Sequence, residues 1–345
     1  METNNTSPNP PRITAKQLKS GMRIFFIITT LTVTVIFIFT ASKETLSALK
    51  QVNYLFLGLT TLVCILRLYF ECLRLQVLGS VLGKKISLKR TAEFTFGGYF
   101  LSILPFGVGG LPLQFYILMK EKFSFGESGT VIVMRGITYL LAFVFAIPVI
   151  IYYRNIFESS GLKMLSGYIL VVYSIFLILF TLAMWKTEWI KTQINKLSIF
   201  FILKHKDKLA SWINKLADEI ENFKLGFKKC CTHGIYKFLL VILLSGVSLL
   251  CFVLMVPLLF RSLGVSVPIV ETSIIQFILT FLLMFSPSPG GSGIAEGAGF
   301  LLFNSYCPKC LMGVFIVLWR FFTYYTGVII GGIFILKLLT ETNKK

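Results

Sequence analysis

Apolar runs of 18 residues or more recur along the chain, and they fix its class before any motif is weighed. A run of that length crosses a hydrocarbon core of roughly 30 Å as one helix, where every backbone polar group must be satisfied internally. The pattern reads as an all-α polytopic membrane protein. Candidate full spans are 22–41, 52–74, 128–153, 163–184, 235–260 and 311–337. The first follows a polar stretch, Met1 to Pro11, and the cations Arg12, Lys16, Lys19 and Arg23. Its apolar core is too long for a signal peptide and shows no clear small-residue cleavage site, so it reads as an uncleaved span.

Two further apolar stretches, 91–119 and 268–305, are broken by Pro and Gly, and the basic residues decide how they run. The 185–237 loop holds eleven Lys against five acids, which places it in the cytoplasm under the positive-inside rule. With the N-terminus inside, the loop returns inside only if 91–119 dips into the membrane and comes back. Lys84, Lys85, Lys89, Arg90, Lys120 and Lys122 then flank the dip on the cytoplasmic face. By the same logic 268–305 dips from the outside and the tail 338–345 ends inside. The expected architecture is a disordered 1–20, a first membrane repeat 21–155, a second 163–337 and a short tail: six full spans plus two re-entrant hairpins, multi-pass in the cell membrane with both termini cytoplasmic. The net charge of +19 fits cytoplasmic loops better than nucleic-acid binding. Within the loop, Leu209, Trp212, Ile213, Leu216, Ile220 and Phe223 recur at helical spacing. That helix lies either on the inner leaflet or on the protein's own cytoplasmic face.

The two broken stretches align without gaps. PFGVGGLPLQ (Pro105 to Gln114) lies over PSPGGSGIAE (Pro287 to Glu296), matching Pro105 to Pro287, Gly109 to Gly291 and Gln114 to Glu296. Further on, RGITY (Arg135 to Tyr139) matches RFFTY (Arg320 to Tyr324). Matched elements in matched order, run in opposite senses, make an inverted repeat, which in transporters places broken helices at the midplane.

The breaks carry chemistry. Pro105, Gly107, Pro112, Pro287 and Pro289 are helix-break or hinge positions, and Pro112 suits a first helical position. A half-helix from Pro112 to about Met119 and another from Ile294 to about Asn304 each start inside the membrane. Their unpaired N–H groups and positive dipole ends form anion sites, and Gly109, Gly110, Gly290, Gly291, Ser292 and Gly293 allow close backbone approach. Arg135 and Arg320 lie roughly 12–15 Å into their spans at about 1.5 Å per residue. Tyr139 and Tyr324 follow each at the same spacing. Together these groups form an electropositive centre whose natural occupant is an anionic headgroup or lipid phosphate. The structural alternative gives Arg135 and Arg320 to freed carbonyls or to Glu296. Glu296 itself is open to three roles: N3 cap of its half-helix, salt-bridge partner, or proton-coupling carboxylate. Gln114 would be the neutral cap. Arg67, Glu71 and Arg74 read as snorkelling groups near the inner interface, with a headgroup gate as the second reading.

No metal or cofactor is implied. Cys307-Pro-Lys-Cys310 has half of a zinc pattern with no second pair, and the only histidines, His205 and His233, lie in the basic loop. A local disulfide and incidental thiols both remain open. No Ser/His/Asp or Cys/His set supports hydrolysis.

LPFGVGGLPLQFYIL with MRGITY, and SPSPGGSGIAEGAGFLLF with LWRFFTYYTG, resemble the family named after the transmembrane region of lysylphosphatidylglycerol synthase, also called flippase-like. The resemblance spans about 20–340. It implies a transporter that moves a phosphate-bearing lipid between leaflets: aminoacyl-phosphatidylglycerol, another phospholipid or a polyprenyl-phosphate glycolipid. In two-part relatives a soluble domain performs lysyl transfer from lysyl-tRNA. This chain ends at Lys345, so the expectation is a lipid carrier and not an enzyme by itself. The alternative is a phosphatidylglycerol lysyltransferase-type enzyme or its membrane subunit. Membrane lipids are the expected partners, with a homo-oligomer or a separate lipid-synthesising protein left open.

Overall fold

The computed structural model describes residues 15–40, 45, 50, 52–104, 110–144, 147–153, 234–283 and 286–342, with short pieces between 164 and 230. Eleven α-helices account for most of this: α1 (Ala15–Thr40), α2 (Tyr54–Val81), α3 (Leu88–Leu101), α4 (Gly110–Lys120), α5 (Phe125–Phe143), α6 (Ile147–Tyr153), α7 (Ile235–Ser262), α8 (Ile269–Leu283), α9 (Ile294–Phe303), α10 (Lys309–Arg320) and α11 (Thr326–Thr342). A π-helical turn, Phe321–Tyr325, joins α10 to α11. Among the described residues there is no strand. Among the described residues, three helices are long and apolar enough to cross a membrane: Tyr54–Val81, Ile235–Ser262 and the continuous Lys309–Lys337.

Local sequence explains the boundaries. Asn53 caps α2 by accepting from the Leu55 and Phe56 N–H groups. Ser87 caps α3, and Ser124 with Glu127 forms a reciprocal capping box at the start of α5. Helices α2 and α7 both run into a Leu-Gly pair whose glycine has positive φ, Gly83 at 79° and Gly264 at 76°. A left-handed residue just past a helix end satisfies its last carbonyls, and glycine takes that conformation without strain.

Helices α2 and α7 lie antiparallel along their length. The Asn53 N–H donates to the Ser262 carbonyl at one end (2.8 Å), and Lys237 Nζ donates to the Ser80 carbonyl at the other (3.0 Å). The second of these ends is rich in lysine and arginine. There Arg90, at the start of α3, pairs with Glu121, just past α4, at 3.0 Å. The α3/α4 hairpin therefore opens at the basic end. At the opposite end the Tyr306 hydroxyl, past α9, donates to Glu271, at the start of α8, at 3.0 Å. The α8/α9 hairpin opens there. The tips meet in between, where the Gly290 N–H donates to the Ser102 carbonyl at 3.0 Å.

Close helix contact relies on small residues, as expected where lipid removes the hydrophobic drive between helices. A Cβ added at Gly331 on α11 would stand 1.9 Å from the Phe96 carbonyl oxygen on α3. The largest buried cluster packs α7 to α10, with Phe260 stacked on Phe315 at 4.1 Å between centroids and Phe303 edge-on to both. A second surrounds Leu75, Phe94, Ile117, Leu118 and Met134 at the basic end. Leu31, Ile38, Leu62, Leu243, Ile333 and Leu336 face outward, as lipid-facing side chains would.

The expected half-helices are close to those observed. The second starts at Ile294 as read from the sequence and ends at Phe303. The first begins at Gly110, so Pro112 is its third residue, still in the turn whose N–H groups have no intrahelical partner. The expected span 128–153 is divided between α5 and α6. Most of the span 163–184, most of the basic loop and the amphipathic segment from Leu209 to Phe223 lie outside the described residues, as do Pro105, Gly107 and Gly109.

Candidate functional site

Two clusters of charge sit inside the helix bundle, each built around one carboxylate. In the first, Glu71 of α2 is 4% exposed. Its Oε1 accepts from Arg74 Nη1 at 2.8 Å and from the Ser248 hydroxyl of α7 at 3.0 Å. Its Oε2 accepts from Arg135 Nη2 of α5 at 3.0 Å. Arg74 also donates through Nη2 to the Arg135 carbonyl (2.8 Å) and lies 5.3 Å from the centroid of Tyr139. Arg135 stacks over Phe94 at 5.4 Å, and its side chain keeps 20% exposure.

The second cluster forms where the hairpin tips meet. Glu296 is fully buried at the third position of α9. Its Oε2 accepts from the Gly293 N–H at 2.7 Å. Its Oε1 accepts from Arg320 Nε at 2.9 Å and from the Tyr325 hydroxyl at 3.3 Å. Arg320 donates its Nη2 to the Gly290 carbonyl (2.9 Å) and stacks over Tyr324 at 4.7 Å. The Tyr324 and Ser102 hydroxyls lie 2.9 Å apart, and Thr29 of α1 donates to Ser292 at 3.0 Å. The tip needs its glycines: Gly290, Gly291 and Gly293 have φ of 59°, 71° and 80°.

Arg67 links the two clusters. It is buried on α2, stacks 4.4 Å over Phe252, and donates to the Tyr99 hydroxyl (2.7 Å) and the Thr323 carbonyl (3.2 Å). The Cys64 thiol donates to the neighbouring Phe322 carbonyl at 3.3 Å. A π-turn disrupts the i→i−4 ladder and exposes carbonyls, and α2 supplies donors for two of them.

The sequence expectations divide here. Arg67, Glu71 and Arg74 do not reach for the interface; all three are buried, because Glu71 binds two guanidiniums and Arg67 meets the π-turn. Arg135 and Arg320 do not share one partner: the first pairs with Glu71 and the second with Glu296. Glu296 takes two of its three candidate roles at once, cap and ion pair. The N-terminus of α9 is therefore answered by the protein's own carboxylate. Gln114 sits against Gly98, and Gly110 lets α4 approach the same residue. Pro289 is buried in the tip and Pro287 is exposed beside it. Cys307 and Cys310 are both free thiols, and burial pushes the Cys307 thiol up to about 12. At the basic end, the Glu93 and Glu121 carboxylates raise the Arg90 guanidinium above its ordinary value. Ser248, Ser102, Tyr99 and Tyr325 were missed. Nothing in their local sequence marks them, since each acts by facing a distant helix. Glu71 and Arg74 carried a signal, charges one turn apart inside an apolar run.

Residues 25–331 match the family described as the lysylphosphatidylglycerol synthase TM region. The chain belongs to that family. It is also similar to a protein of Archaeoglobus fulgidus named UPF0104 membrane protein, at 25% identity over 304 residues, covering 87% of this chain and 91% of the relative. This family member is a membrane protein with transmembrane helices.

Proposed function

We propose that the protein carries a phosphate-bearing lipid between leaflets, with the headgroup passing the Glu71–Arg74–Arg135 cluster. One observation carries this reading: an imbalance of buried charge. Arg74 and Arg135 share the one carboxylate of Glu71, Arg67 stands one turn before it on α2, and Arg74 Nε has no hydrogen-bond partner. An arginine at membrane depth is expensive unless an anion or water answers it, so surplus guanidinium points to a transient anionic guest. A phosphodiester accepts the paired N–H groups of a guanidinium in the way a carboxylate does. Arg320 is committed to Glu296 in this conformation, so Arg135 is the first contact and Arg320 with the Gly290–Gly293 tip a later one. Tyr139 and Tyr324 flank the path, with Gln114 on the facing half-helix.

The same proposal includes the architecture: six spans and two re-entrant hairpins in an inverted repeat, in the cell membrane with both termini cytoplasmic. It is supported by hairpin bases tied at opposite ends of the bundle, by tips that meet, and by matched glycines after α2 and α7. Opening one hairpin at a time would expose the cluster to each side in turn. The lysylphosphatidylglycerol of the family name is the first substrate to try; phosphatidylglycerol and polyprenyl phosphates share its phosphate.

The test is reconstitution of the full chain in liposomes with labelled lipids of these three kinds. Arg135→Ala and Arg74→Ala should each slow flipping at least about tenfold, the size of one lost charge-assisted hydrogen bond. Rates unchanged by both variants would sink the proposal. Lysyl-lipid formed from lysyl-tRNA by the purified chain would instead assign a lipid-modifying enzyme.

A further inference from the structure

At the basic end of the bundle, apart from both carboxylate clusters, a cavity of about 510 Å³ opens between the end of α2 and the start of α7. Sites for small ligands commonly span about 300–1,000 Å³. Val81 and Leu82 form its apolar wall. Lys229, from the helical turn 225–230, and Lys237, on the first turn of α7, supply its charge. Among the described residues no carboxylate lines it. Lys237 gives one donor to the Ser80 carbonyl; an ammonium has three.

Position and surface say what fits. Both helices are apolar enough to span a membrane, and the cavity lies where their apolar runs end. In the proposed topology that level is the headgroup layer. Tyr236, 88% exposed, stands at the mouth, and tyrosines are enriched at membrane interfaces. Leu239, Leu240 and Leu243 follow it at spacings of three, four and seven and are all exposed. They continue one face of α7 from the cavity towards the bilayer core. A polar, cationic cavity above an apolar stripe matches a lipid with an anionic head and acyl tails.

We infer that this cavity docks an anionic phospholipid from the leaflet at the basic end, its phosphate facing Lys229 and Lys237 and its chains lying along Leu239 and Leu243. The site is independent of the proposed transport path. It contains neither Glu71 nor Glu296, and it would hold a resident lipid whatever the protein moves.

Native mass spectrometry of the purified full chain, titrated with dimyristoyl-phosphatidylglycerol or dimyristoyl-phosphatidylcholine, tests it. A lysine near an anionic headgroup is worth about fivefold in affinity, so Lys229→Gln with Lys237→Gln should weaken the first tight phosphatidylglycerol event by about 10–30-fold. Phosphatidylcholine, whose choline offsets the charge of its phosphate, should lose much less affinity. The Lys229→Arg with Lys237→Arg pair should keep most of the affinity, which separates charge from misfolding. Lys85→Gln with Lys89→Gln, two exposed lysines at the same end that do not line the cavity, should leave it unchanged. An equal loss in that control pair would mean general charge and overturn the site. So would unchanged binding in the cavity variant, or displacement of the lipid by millimolar inorganic phosphate, which would assign a soluble anion.

Discussion

Consider removing Glu296. The carboxylate has no exposure, and Arg320 beside it has 4%. Glu296→Leu strips Arg320 Nε of its acceptor, frees the Tyr325 hydroxyl and uncaps the Gly293 N–H. Removing one partner of a buried pair leaves an uncompensated charge and costs about 3–5 kcal/mol. The lost cap adds about 1 kcal/mol. Arg320→Met leaves the carboxylate stranded and releases the Gly290 carbonyl, a loss of similar size. The double variant, Glu296→Leu with Arg320→Met, removes both charges and should cost no more than either single change. With each single loss at about 3 kcal/mol or more, the double-mutant cycle should give a coupling of at least about 3 kcal/mol, at the top of the range for contacting residues. Unfolding the protein in mixed detergent–SDS micelles, followed by circular dichroism, measures all four states. Single losses below about 1 kcal/mol, or losses that simply add, would refute the argument that this pair holds the tip of the α8/α9 hairpin.

Gly331→Ala should destabilise by at least about 1–3 kcal/mol in the same assay, since its Cβ would meet a backbone carbonyl that cannot turn aside. Gly136→Ala, on α5 with nothing within 4 Å of the added carbon, should show no such loss. With its thiol pushed up to about 12, Cys307 as the sole cysteine should hold roughly one part in 10⁴ thiolate at pH 8 and resist maleimide until SDS unfolds the chain. The sign is that of a buried acid: the neutral thiol is favoured, and reactivity rises only as pH climbs towards that value. Fast labelling of folded protein would contradict its burial. Single cysteines placed at Lys89 and Arg261 should label from opposite faces of the membrane, the first from the cytoplasm; labelling from one face would undo the proposed topology.

The sequence by itself determined the class, the apolar helices and the positions of the breaks. Those properties are local: run length, proline, glycine with its positive φ, and capping residues act over a few neighbours. It also brought Arg135, Arg320 and Glu296 forward, because a charge inside an apolar run stands out on its own. What it could not supply was the pairing. Arg320 went to Glu296, as one alternative allowed, but Arg135 went to Glu71, which read as a snorkelling group near the inner interface, with a headgroup gate as the second reading. Only the crossing of α2 with α5 and α7 brings that carboxylate to two guanidiniums and Ser248. The π-turn after Arg320 was equally hidden, since the donors that answer it, Cys64 and Arg67, lie more than 250 residues away. Partner choice inside a membrane is a property of helix packing: a buried charge pairs with whichever opposite group the fold brings within reach, and chain distance has no part in it.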